Sequence, residues 1–89
     1  MATTAELKIQ TLLRMGISDI VSVEIQHDRN LCVVTLCEED ARKVGRLLTV
    51  ANLRDITVKE RLDNYQGNNF WQTDASITPA ELETLERAA

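Results

Sequence analysis

The residues able to do chemistry in this chain are few. Its three aromatic rings, Tyr65, Phe70 and Trp71, all fall in the polar stretch from Asn64 to Gln72. Large rings set among amides point to recognition, because Tyr and Trp combine wide contact area with a polar handle. Asn68, Asn69 and Gln72 would add adaptable hydrogen bonds. Neighbours on a strand face opposite sides, so Phe70 and Trp71 cannot both enter one core. One of them needs other cover: the final helix, a subunit or a ligand. The blander account has both rings closing the far end of the core. The candidate binding set is therefore Tyr65, Asn68, Asn69, Phe70, Trp71 and Gln72, with Lys59 and Arg61 beside it on the preceding strand.

Nucleophilic and metal chemistry find little support. Cys32 and Cys37 are an odd number of steps apart, so on one extended strand they face opposite sides and cannot chelate one ion together. Both are expected as buried, inert thiols. A helix N-terminus at Cys37 would lower its thiol pKa, but Glu38, Glu39 and Asp40 oppose that. His27, the only histidine, reads as a solvated strand end. Pairing it with Cys32 across a hairpin would still lack an oxyanion hole and an orienting group. Successive acids on a helix rotate by about 100°, so residues 38–40 make a good first turn and a poor metal cage. Arg42 and Lys43 fit i,i+4 pairing with Glu38 and Glu39. Glycines at 16, 45 and 67 are too scattered for a phosphate loop. No catalytic residue, metal or cofactor is expected.

Charge narrows the partners. A formal net charge of −4 and a pI near 4.9 disfavour nucleic acid and anionic membrane surfaces, which need clustered Lys and Arg. The N-terminal residues show neither a basic segment nor an apolar one of signal-peptide type, which with two unpatterned cysteines suggests a cytoplasmic protein. Eighty-nine residues make one domain, 1–89, with a thin core, and a homodimer is one way to support such a domain.

The elements that must position these residues follow from periodicity. Thr3 and Glu6 fit a capping box, and Leu7, Ile9, Leu12 and Leu13 give a helix from about Thr4 to Met15, ended by Gly16. Ile20 to His27 alternates as a half-buried strand, with Val21, Val23 and Ile25 inward. Leu31 to Cys37 is apolar almost throughout and reads as a central strand, paired with the first in an antiparallel hairpin. Glu38 opens a second helix with Ala41, Val44, Leu47, Leu48 and Ala51 as its buried stripe and Asn52 as a left-handed terminator. Gly45 within it marks close packing. A third strand spans about Asp55 to Asn64, with Thr57, Lys59 and Arg61 outward. A turn at 66–69 leads to a fourth strand at Phe70 to Ala75. Thr78, Pro79 and Glu81 start a last helix docked by Leu82 and Leu85.

The order α-β-β-α-β-(β)-α specifies an α+β two-layer sandwich: a mainly antiparallel sheet of three to four strands with helices on one face. It is partly ferredoxin-like in its strand–turn–strand–helix–strand run, without the opening strand of that fold or the Cys pair of its small metal carriers. The expected function is non-enzymatic protein binding by a small interaction or adaptor domain, through residues 64–72. The alternative is a small-molecule sensing domain with a pocket between sheet and helices, lined by Leu, Val and a ring.

Overall fold

A computed structural model describes residues 4–17, 19–27, 29–63 and 68–87, with the backbone alone described at 62, 63, 68, 69, 85 and 86. The elements are α1 (Thr4–Arg14), β1 (Ile20–Gln26), β2 (Asn30–Thr35), α2 (Glu38–Val50), β3 (Arg54–Asp63), β4 (Asn68–Ser76) and α3 (Pro79–Arg87). The four strands form one antiparallel sheet in the order β1-β2-β4-β3. The fourth strand is thus real and central, and β1 and β3 are the edges.

Strand register sorts the side chains onto two faces. Val23, Val33, Thr73 and Val58 form one row, and Ile25, Leu31 and Ala75 another. These rows face the helices, where Ile9 and Leu13 of α1 and Val44 and Leu48 of α2 join them in the main core. Ala5, Ile77 and Leu82 make a smaller cluster that seats α3 against α1. In the middle of the helix layer, the fully buried Thr73 hydroxyl donates to the Ala41 carbonyl at 2.9 Å. Gly45 lies directly over the sheet: a methyl placed there would meet Ile56, Val58 and Thr73 at 3.5–3.9 Å.

The helix ends are built largely as their sequences require. Glu81 and Thr78 complete a reciprocal capping box at α3, with Thr78 N–H donating to Glu81 Oε1 at 3.0 Å and Glu81 N–H to Thr78 Oγ1 at 3.2 Å. Asn52 ends α2 in the left-handed region, at φ 66°. Thr3 lies outside the described residues. Glu6 is buried, and its carboxylate accepts the Ile25 N–H at 2.6 Å, which ties α1 to the sheet edge. Gly16 does not use positive φ; α1 closes instead through the N–H groups of Gly16 and Ile17, which both donate to Leu13 O.

Three local expectations are corrected. A register shift between Ile20 and Ser22 turns Val21 outward, so Ile20 and Val23 are the buried residues of β1 there. Cys37 is exposed, because β2 ends at Thr35 and the chain leaves the sheet before α2. Neither Leu47 nor Ala51 is in the buried stripe; Gly45 takes the fourth buried position, Leu47 is 42% exposed and Ala51 lies exposed just beyond the helix. Among the described residues no helix is long and apolar enough to cross a membrane.

Candidate functional site

The sequence-predicted binding residues separate onto the two faces of the sheet. Gln72 pairs across β3/β4 with Lys59, and Phe70 with Arg61. These four therefore share the face away from the helices. Trp71 stands on the opposite face, in a row with Thr35 and Glu60. Both rings are half-buried. Asn68 and Asn69 begin β4, opposite Asp63 and Leu62. Tyr65 lies outside the described residues.

On the open face the polar groups converge on Asp74. Gln72 Nε2 donates to Asp74 Oδ1 at 2.8 Å, and Lys59 Nζ lies 3.5 Å from Oδ2. Asp74 is absent from the sequence-predicted set, although continuing the two-residue period from Phe70 through Gln72 reaches it. Beneath these side chains lie Cys32 and Val34, both buried. Burial pushes the Cys32 thiol up to about 11, and the Asp74 and Glu24 carboxylates add to the effect while Arg61 opposes it. Such a thiol stays protonated and unreactive at neutral pH. Cys32 pairs with Glu24, whereas His27 sits exposed in the hairpin turn at φ 55°. The structure does not assemble a thiol–imidazole pair from them.

A larger feature lies on the helix side. α1 and α2 leave between them a cleft of about 490 Å³. Its floor is Leu31 of β2 with Ile9 and Leu13 of α1 and Leu48 of α2. Its walls are Leu12 and Leu47, and one end is closed by Leu53, Ile77 and the first turns of α3. The polar groups at that end are Glu81 and Thr84. Glu81 is already engaged, with Arg54 Nη2 2.7 Å away, and this guanidinium holds its carboxyl below the usual carboxylate range. Among the described residues no aromatic ring lines the cleft.

The helix sequences explain why the walls are apolar. At 100° per residue, the apolar residues of 44–51 (Val44, Gly45, Leu47, Leu48, Val50 and Ala51) sweep about 220° of the α2 circumference, against about 100° for an ordinary one-sided stripe. In α1 and the residue after it, Ile9, Leu12, Leu13 and Met15 repeat the same i, i+3, i+4, i+6 spacing. On α2, and over residues 9–15 at α1, the surplus sector lies to one side of the buried stripe; Leu7, also exposed, lies on the other side of α1. The surplus emerges as Leu12 and Met15 on one wall and Leu47 and Val50 on the other, all exposed.

A second hollow, about 630 Å³, is bordered by His27, Arg29, Arg54 and the start of α3. Its Arg54 is held by Glu81, and the helix start is occupied by its own capping box. Arg29 is then its one unengaged guanidinium among the described residues, too little to build an anion site. Among the described residues no cluster of three or more His, Cys, Asp or Glu side chains could hold a metal. Compared with protein families, curated proteins and solved structures, the chain matches none.

Proposed function

We propose that this chain is a non-enzymatic protein-binding domain that receives an apolar surface of another polypeptide in the cleft between α1 and α2. The observation that carries this reading is the exposure of Met15 and Val50, at 82% and 80%, on the crests beside a cleft that is itself aliphatic. An apolar patch that continues from a groove onto its rims marks an interaction surface. The outer sheet face, with Lys59, Arg61, Phe70 and Gln72, is a second contact surface in this reading, polar where the cleft is greasy.

The small-molecule alternative draws support from the volume, since about 490 Å³ falls in the range of ligand pockets, roughly 300–1,000 Å³. A molecule seated between Leu12 and Leu47 would leave the two crest residues in water, however, and a polypeptide would cover them.

The cleft is tested with an environment-sensitive apolar dye, anilinonaphthalene sulfonate, added to the native protein at about 0.2 µM, where weak association is dissolved. The dye should brighten with wild type and fail to do so with Leu47→Asp, at unchanged circular dichroism. A native wild type that leaves the dye dark would sink the reading.

A further inference from the structure

We infer that the polypeptide seated on this cleft is a second copy of the chain, in a two-fold dimer closed by α1 and α2. This rests on the reading of the cleft as a protein-binding site. It adds the identity of the partner.

Shape is the first argument. The same face carries a hole and, directly beside it, ridges: Leu47 with Val50, and Leu12 with Met15. A two-fold axis set between a hole and a neighbouring ridge places each copy's ridge in the other's hole. A surface of that kind is self-complementary, as an isologous interface requires. The equal apolar spacing of the two helices strengthens the match, since either wall presents apolar side chains at the same intervals.

Charge is the second. A partner chosen by charge needs a charged wall to read. Here Arg42 lies 2.7 Å from Glu38, Lys43 lies 3.6 Å from Glu39, and Glu81 is held by Arg54. These groups are neutralised within the chain, so closing the face against an identical face buries no uncompensated charge of theirs. Apart from Glu81, already held by Arg54, the described lining of the cleft carries no charge for an acidic or basic peptide to read. Arg46 stands one turn before Val50 at the rim, where an interface keeps its polar residues.

Area is the third. α1 and α2 are about 16 and 20 Å long, and two helices with side chains and the gap between them span about 25–30 Å. The face is then roughly 500–600 Å² per copy, or about a tenth of the 5963 Å² total. The pair would bury about 1,000–1,200 Å², which reaches the lower bound for a specific interface. An interface of that size predicts a reversible dimer with a dissociation constant in the micromolar range.

The experiment is sedimentation velocity of the full chain from about 1 to about 500 µM. It compares wild type with Val50→Glu and Met15→Glu, whose side chains are exposed and whose folding is checked by circular dichroism. The expected result is that the wild-type mass rises from 10.0 kDa to twice that value across the range. Each variant should weaken association at least tenfold. If wild type and both variants dimerise equally, the dimer uses another surface and the inference falls. If wild type stays monomeric at the highest concentration, the inference also falls. The dye experiment then separates the two claims: brightening at the cleft keeps the protein-binding reading for a different partner, and a dark dye removes both.

Discussion

Replacing Gly45 by alanine should make the protein more stable. Glycine inside a helix is about 0.8–1.0 kcal/mol less favourable than alanine, because it loses more backbone freedom on folding. A glycine kept at such a place suggests that a side chain would not fit. Here it would: the added Cβ would stand 3.5 Å from Ile56 Cγ2, 3.8 Å from Val58 Cγ2 and 3.9 Å from Thr73 Cγ2. Those are ordinary van der Waals separations, and burying one more methyl contributes up to about 0.8 kcal/mol. The expected gain for Gly45→Ala is about 1–1.5 kcal/mol, read as a rise in Tm of about 4–8 °C per kcal/mol for a domain of this size. Gly45→Val is the control. Its two further methyl groups have no room against Ile56, so it should lose about 1–3 kcal/mol through overpacking. Urea denaturation of both variants measures this directly. A destabilised Gly45→Ala would show that α2 lies closer to the sheet than described and would refute the packing argument.

The cysteines should label in sequence: Cys37 quickly in the native protein at pH 8, and Cys32 only on unfolding, which mass spectrometry of timed iodoacetamide reactions would resolve. The folded Cys32 thiol lies at about 11 against an ordinary 9.0, so its contribution to stability is complete below pH 9 and is lost as pH rises through 11; Cys32→Ala should flatten that part of the denaturation profile. Glu6→Ala removes the acceptor of the Ile25 N–H and should cost about 1–2 kcal/mol, the low end for a charged acceptor because water can reach an edge strand; Glu6→Gln, which keeps a carbonyl oxygen, should cost less, and equal losses would mean that the bond contributes nothing. Thr73→Val keeps the shape and deletes the hydroxyl that donates to Ala41 O, for an expected loss of about 0.5–1.5 kcal/mol in urea titration.

Most of the fold was legible because its signals are local. The run Leu31–Thr35 is apolar except for Thr35, and it is buried on every residue, as a central strand should be. Thr78, Pro79 and Glu81 fix the start of α3 by hydrogen bonds that the spacing alone dictates. What the sequence hid depended on displacement by a single residue. The irregularity between Ile20 and Ser22 reverses Val21, and no residue type there announces it. The position of β4 between β2 and β3 is a long-range pairing, which periodicity within a segment cannot supply.

The cleft was hidden for a different reason. A helical wheel shows which residues are apolar, but not how far apart two helices stand. Assigning Leu47 to the buried stripe assumes that α1 lies against α2, so that a broad apolar arc is consumed by the core. In the fold, α1 packs on β1 and α3, and α2 packs over β2, β3 and β4. The flanks that would have met are left facing a gap. The excess was nonetheless measurable: the apolar arc over residues 44–51 is wider than an ordinary one-sided stripe. Where a helix in a small two-layer domain carries more apolar circumference than its sheet covers, the surplus marks the side on which the proposed partner would close. In this chain that side holds Leu12, Met15, Leu47 and Val50.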